Sequence, residues 1–322
     1  MDKKLLSIII VNWNTEKYLK QCLEAIYEVP SRIGFEVIVV DNHSSDNSLS
    51  MLKANFPQVK LLMNDSNLGY AKANNQGVEL ATGNFILLLN PDSIIYPDAF
   101  EGMVKYASNR PRLGALTCRV LNPDGTFQEE FYRRFPDLNT VFFYFFYLGR
   151  ISDKFFLKNK FMNHYFYRDL KFDKVEKIEQ AGASCLMIPK KIIREIGLFD
   201  EIFPIYFNDV DFCKRVWSSG YEIHMLPDAK AVHFGGGAVG QLPFKKNYGY
   251  FYSGMYRYFK KHQGLLKAVL VRILSLINFV FVFLMFNRFT RLVFAYFISL
   301  QKNGFNAANK KALNKLKTKV KY

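Results

Sequence analysis

Apolar and polar positions fall into alternating blocks over the first 120 residues. Continuous apolar runs over 5–11, 35–40, 59–63 and 85–89 predict strands buried on both faces. Between them the apolar residues recur at helical spacing. Leu19, Cys22, Leu23 and Ile26 mark one helix over 18–27, and Leu49, Leu52 and Phe56 mark another over 46–56. A third helix covers 70–80, and Gly83 punctuates the chain before the run at 85–89. Strands alternating with helices predict an α/β fold with a mostly parallel, Rossmann-like sheet and helices on both faces.

Residues 127–177 break this pattern. They hold the aromatic runs Phe142 to Tyr147, Phe155-Phe156 and His164 to Tyr167 without clear periodicity. Two readings stand: an inserted subdomain that packs its rings inward, or a lipid-facing or acceptor-binding element. The pattern returns with a strand over 181–188, a short helix over 189–195 opened by Pro189, and a helix carrying Val210, Cys213 and Val216. Two more short strands are expected at 221–225 and 230–232. The chain divides at about residue 240. A main domain covers 1–240 with the aromatic insertion inside it, and an apolar, basic helical segment covers 241–322.

Charge separates the same two parts. The chain has 44 Lys and Arg against 28 Asp and Glu. Seventeen of the basic residues lie from Ala229 onward, where no acidic residue occurs. The main domain is therefore almost neutral, and the C-terminal segment calls for an anionic partner. Residues 265–286 are apolar over a length that reaches across a bilayer core of about 30 Å. Lys267, Arg272 and Asn278 interrupt them, which favours lying in the interface at least as much as crossing it. Apolar residues continue over 288–300, and a Lys-rich tail follows over 302–322. Basic residues beside long aliphatic runs predict an anionic membrane surface on its cytoplasmic side, and no nucleic acid. A helical pair docked on the main domain, with a solvated tail, is the alternative. Cys22, Cys118, Cys185 and Cys213 show no CxxC spacing, so neither a disulfide framework nor a zinc site is expected, and a reducing compartment fits. The N-terminal apolar run is too short for a signal peptide and reads as the first strand.

The candidate chemistry sits where strands end. Asn12-Trp13-Asn14 follows the first strand, Asp41-Asn42 the second and Asn90-Pro91-Asp92 the fourth, and Asn67-Leu68-Gly69 opens a helix. A parallel sheet gathers such groups along one edge, where ligands bind in open α/β folds. They offer hydrogen bonds for a base and ribose and a carboxylate for a metal. No G-x-G-x-x-G follows the first strand and no G-x-x-x-x-G-K-[ST] occurs, so neither a dinucleotide fingerprint nor a P-loop is present. Asp209 sits at the start of a helix with Asn208 as its expected cap. The helix N-terminus is expected to keep Asp209 ionised, as a general base requires. His233 opens the Gly-rich loop at 235–237, and an imidazole beside carboxylates suits Mn²⁺ better than Mg²⁺.

The segments SIIIVNWN, VIVVDNHSSDNS, NLGYAKANNQG, FILLLNPDS, GASCLMIPKKIIREIGLFDE and FNDVDFCKRV resemble, in order and spacing, family 2 glycosyltransferases of the rhamnosyltransferase-like branch. The resemblance spans residue 5 to about 240. It implies a GT-A fold, a nucleotide-diphosphate sugar donor, a divalent metal and inversion at the anomeric carbon. It implies that Val11, Asn12, Asp41, Asn67, Gly69, Asn90 and Asp92 contact the donor, that Asp92 and His233 hold Mn²⁺ or Mg²⁺, and that Asp209 is the catalytic base. The implied donor is dTDP-rhamnose or another dTDP- or UDP-sugar. The implied acceptor is a lipid-linked glycan at the cytoplasmic face of the plasma membrane, in polysaccharide synthesis. Two residues depart from the family pattern. Asn90 stands for the first Asp of Asp-x-Asp, and Asn208 for the Glu that precedes the base. These departures keep open a weakly active, membrane-associated nucleotide-sugar-binding protein. A nucleotidyltransferase of similar fold is a further alternative, although its Gly-rich, basic N-terminal signature is absent.

Overall fold

The computed structural model describes residues 5–28, 30–145 and 160–285. The aromatic residues at 146–147 and 155–156, and the apolar and Lys-rich stretches after 285, lie outside them.

The first half builds β1 (Leu6–Asn12), α1 (Glu16–Tyr27), β2 (Phe35–Asp41), α2 (Ser48–Asn55), β3 (Lys60–Met63), α3 (Tyr70–Leu80), β4 (Phe85–Leu89), β5 (Ser93–Ile95), α4 (Pro97–Ser108) and β6 (Leu113–Leu121). The insertion adds β7 (Tyr132–Arg133), α5 (Leu138–Phe145) and α6 (Lys160–Tyr165). The remainder adds β8 (Glu176–Lys177), β9 (Gln180–Ala181), β10 (Cys185–Pro189), α7 (Lys190–Ile196), α8 (Asn208–Ser218), β11 (Glu222–His233), α9 (Phe244–Gln263) and α10 (Leu265–Met285).

The main sheet runs β3-β2-β1-β4-β10-β6-β11-β5, with β8 also on β11. Pairing is parallel through β3-β2-β1-β4 and between β6 and β11, and β10 runs antiparallel to β4 and β6. Ile8, Ile9 and Ile10 of β1 and Ile86, Leu87 and Leu88 of β4 are fully buried, because helices cover both faces of the sheet. Each such side chain contributes on the order of 1.5–3 kcal/mol of hydrophobic stabilisation.

Two expected elements differ. The strand expected over 181–188 is split. Residues 182–184 leave the ladder, so that β9 pairs with β7 while β10 enters the main sheet, and Ser184 C=O accepts from Asn90 N–H at 3.0 Å. The two short strands expected after 220 are one strand, β11, whose register shifts between Leu226 and Lys230. Pro227 falls in that shift, where a missing ladder donor costs least.

The insertion packs part of its rings inward. Phe131, Tyr132, Tyr165, Phe166, Tyr167 and Phe172 are buried, while Phe142, Tyr144 and Phe161 are exposed. The C-terminal helices dock on the main domain. Met255, Tyr258 and Phe259 of α9 and Ala268 and Val271 of α10 pack with Phe203, Phe207 and Val210 near the start of α8. The opposite face of α10 leaves Leu265, Leu266, Val269, Ile273, Leu276, Ile277 and Phe279 exposed. Among the described residues no helix is long and apolar enough to cross a membrane.

Candidate active site

A cleft of about 780 Å³ opens along the carboxyl ends of β1, β2 and β4. Its walls include Val11, Asn42, Asn67, Gly69, Asn90, Asp209 and His233. Parallel register brings the strand ends together, with Asn12 directly opposite Asp41.

Asn12 and Asp41 form the scaffold beneath this edge. Asn12 Nδ2 donates to Asp41 Oδ2 at 2.8 Å and to Ser44 Oγ at 3.0 Å, and Asp41 Oδ1 accepts from Ser44 N–H at 2.9 Å. Both side chains are buried, and neither is among the cleft-lining residues. The adjacent Asn42 reaches the cleft instead. Its Nδ2 donates to Asn67 Oδ1 and its Oδ1 accepts from Leu68 N–H, which ties down the loop that ends at Gly69.

Asp92 is buried, 4 % exposed, and is not among the cleft-lining residues. Its Oδ2 accepts from Gly237 N–H at 3.0 Å, and its Oδ1 is 3.4 Å from His233 Nε2. A Cβ at Gly237 would come within 3.1 Å of Oδ2, so glycine permits this approach. Burial works to raise the Asp92 carboxyl, but His233 and the Gly237 N–H outweigh it and hold it below the usual carboxylate range. His233 Nδ1 is 3.0 Å from Gln128 Oε1, while Gln128 Nε2 donates to Asn122 Oδ1. The Gln128 oxygen is an acceptor, so Nδ1 carries a proton, and Nε2 faces Asp92. Nε2 is buried without a hydrogen-bond partner, as is Asn90 Oδ1. With a cation in place of a proton, Nε2 and Asp92 Oδ1, 3.4 Å apart, would each supply it an electron pair. The donor set fits a divalent metal, the Gln128 bond being the outer partner that fixes a metal-binding imidazole. Among the described residues no group of three or more His, Cys, Asp or Glu could hold a metal. The pair would therefore need oxygens from a ligand to complete a site.

Asp209 occupies the second position of α8. Phe207 precedes the helix in the left-handed region, φ 69°, so the cap position is Phe207 and the expected cap, Asn208, is the first helical residue. Asn208 Oδ1 accepts from Asp209 N–H at 2.7 Å, and its Nδ2 donates to Ile205 C=O at 2.8 Å. These bonds fix the loop that leads into Asp209. Asp209 Oδ1 accepts from Val210 N–H at 2.8 Å, and Oδ2 is 3.8 Å from the Arg133 guanidinium. The helix terminus does not lower the Asp209 carboxyl as expected. Burial raises it, with Arg133 and the Val210 N–H acting only in partial opposition. A raised carboxylate is a stronger base, which favours taking a proton near neutral pH.

Two polar contributors escape the sequence pattern. Gln128 and Arg133 both come from the insertion, and Arg133 is held in place by its pairing with Gln180 across β7 and β9. Neither has a periodic or motif signal.

Residues 7–197 match the family described as Glycosyl transferase family 2. The chain is 25 % identical over 251 residues to an N-acetylglucosaminyl-diphospho-decaprenol L-rhamnosyltransferase of Mycobacterium tuberculosis, covering 74 % of this chain and 79 % of that protein. It is 25 % identical over 247 residues to a low-salt glycan biosynthesis hexosyltransferase of Haloferax volcanii, covering 76 % and 71 %. Among solved structures it is similar to a Pyrobaculum calidifontis mannosyltransferase in complex with GDP-Man and Mn²⁺. That match has a TM-score of 0.52 at 16 % identity and covers 96 % of this chain and 84 % of that one. The S. aureus TarS fragment 1–349 in complex with UDP-GlcNAc matches with a TM-score of 0.51 at 15 % identity, covering 76 % and 64 %. These structures share the GT-A fold.

Proposed function

The chain belongs to the family 2 glycosyltransferases, and we propose that it moves a hexosyl group, with inversion, from a nucleotide-diphosphate sugar to a hydroxyl of a lipid-linked glycan. The observation that carries this reading is the placement of Asp209 and His233 on one cleft, with Asp92 buried against His233. Asp209 takes the proton of the acceptor hydroxyl. That oxygen forms a bond to the anomeric carbon as the bond from this carbon to the diphosphate breaks on the opposite face. Asp92 and His233 would hold a divalent cation, which supplies positive charge against the charge growing on the leaving diphosphate. Val11, Asn67, Gly69 and Asn90 line the donor's place, with Asn12 and Asp41 stiffening the edge behind them.

The donor proposed is dTDP-rhamnose or another dTDP- or UDP-sugar, in line with the rhamnosyltransferase relative. The name of that relative also motivates the lipid-linked acceptor. Residues 1–240 are proposed as the catalytic domain, and 241–322 as the part that seats it on the cytoplasmic face of the membrane. The apolar outer face of α10 and the wholly basic charge after Asp228 support that seat.

A thermal-shift panel tests the donor assignment. A nucleotide-sugar at 100 times its Kd, with Mn²⁺ present, should stabilise the full chain by about 2.7 kcal/mol. A panel in which no nucleotide-sugar raises Tm, or only sugar-1-phosphates and nucleoside triphosphates do, contradicts the reading.

A further inference from the structure

A second cavity of about 200 Å³ adjoins the cleft. The two share Glu130, Arg133, Tyr144, Ile205, Tyr206, Asp209 and Phe251 on their walls, but the annex touches none of Val11, Asn67, Asn90 or His233. Asp209 therefore stands on the wall between a large space reaching the strand ends and a small one reaching away from them. The insertion and the C-terminal helices build the annex, through Thr140 and Tyr144 of α5, Tyr165 of α6, and Phe251 and Met255 of α9.

The chemistry of the annex is specific. Tyr144 and Tyr206 both lie against Phe251, with ring centroids 6.1 and 5.7 Å away. Such faces suit the C–H side of a sugar ring, which carries slight positive charge toward the negative face of an aromatic. The charged groups lining it are Glu130, Arg133 and Asp209. Arg133 lies across from the Asp209 carboxylate, which leaves Glu130, exposed and at the border with the cleft, as the unpaired negative charge. At ~30 Å³ per water the volume equals about seven waters, room for one pyranose and not for a disaccharide.

We infer that this annex is the acceptor subsite and that it takes a single neutral pyranose, lying on Tyr144 and Phe251 with a hydroxyl at Asp209, and turns away sugars bearing a carboxylate. The inference rests on the transferase reading and adds the charge class of the acceptor to it. The rest of the acceptor extends out of the annex mouth.

Saturation-transfer NMR on the full chain tests it with methyl glycosides of neutral hexoses and N-acetylhexosamines against the matching uronates, with UDP and Mn²⁺ present. At least one neutral glycoside should bind about tenfold or more tightly than its uronate. Tyr144→Ala should weaken that binding about threefold or more, the scale of one ring contact. Tyr144 is 43 % exposed, so the variant keeps its fold. Glu130→Gln should shrink the preference over the uronate. Equal binding of both classes, no binding by any neutral glycoside, or indifference to Tyr144→Ala overturns the inference. Nucleotide binding is read by calorimetry on the same sample; its absence overturns the donor reading separately.

Discussion

Arg133 lies 3.8 Å from the carboxylate proposed to take the acceptor proton. Replacing it with methionine keeps most of the apolar stem and removes the charge. Two unit charges at that distance attract by ~1 kcal/mol at the dielectric of water and by ~4 kcal/mol at an effective value of 20. The Arg133 side chain is 30 % exposed and that of Asp209 17 % exposed, so solvent screening places the pair nearer the lower figure. Asp209 must be ionised to act as a base. Burial already raises its carboxyl, and loss of Arg133 raises it further. The acid limb of kcat/KM for sugar transfer should therefore move to higher pH, by about one unit at ~1.4 kcal/mol per unit. Activity would fall first at low pH and recover toward neutrality, and Arg133→Lys should return the limb most of the way. The assay is a pH profile of nucleotide release with donor and acceptor present. A uniform loss of rate at every pH, with the limb unmoved, would refute the electrostatic role.

Two further predictions concern stability. Glu36 is buried on β2 opposite Ser7 of β1, accepting from Ser7 Oγ, Thr82 Oγ1 and Thr82 N–H and pairing with Lys60 at 2.7 Å. Burial works to raise its carboxyl, but these partners bring it down to about 2. The stabilisation is full above the unfolded value near 4.5 and is lost as pH falls through about 2, so Glu36→Gln should lower stability at pH 7 by about 2–3 kcal/mol and flatten the acid side of a Tm-versus-pH curve. An unchanged acid slope would count against it. Asp211, fully buried on α8, meets Arg215, Lys261 and His262 at 2.7–2.9 Å and so ties α9 to the helix that carries Asp209. Asp211→Asn removes the carboxylate that Arg215, Lys261 and His262 share and should cost about 2–4 kcal/mol in urea unfolding; a loss under ~1 kcal/mol would show that solvent already screens the cluster.

The strands β1, β2 and β4 and the helix α3 were legible because each is a continuous local pattern bounded by turn residues. The placement of β10 between β4 and β6 was not, because pairing across a gap of about a hundred residues leaves no local trace. The break at 182–184 was hidden inside an apolar run that reads as one strand. At the site, Asp92, His233 and Asp209 stood out because they follow strand ends or open a helix. Three things escaped. Asp41 looked like a cleft residue, yet hydrogen bonds to Asn12 and Ser44 turn it inward and leave Asn42 forward. Asp209 was expected to be held low by its helix terminus, a first-turn effect of under a kilocalorie or so that burial outweighs. Gln128 and Arg133 sit in the aromatic insertion, where no periodicity assigns them a direction.

The central claim is that Asp209 is the base of a nucleotide-sugar-dependent transfer. The most direct test compares Asp209→Asn with the unaltered chain, measuring transfer rate and nucleotide-sugar binding in parallel. Asparagine matches the shape and keeps the Oδ1 acceptor for Val210 N–H, but it cannot take a proton. Transfer should fall by a factor on the order of 10²–10⁴, the span general-base catalysis supplies, while the nucleotide-sugar Kd stays within about threefold. Retention of full transfer by Asp209→Asn, or loss of donor binding in step with activity, would contradict the account.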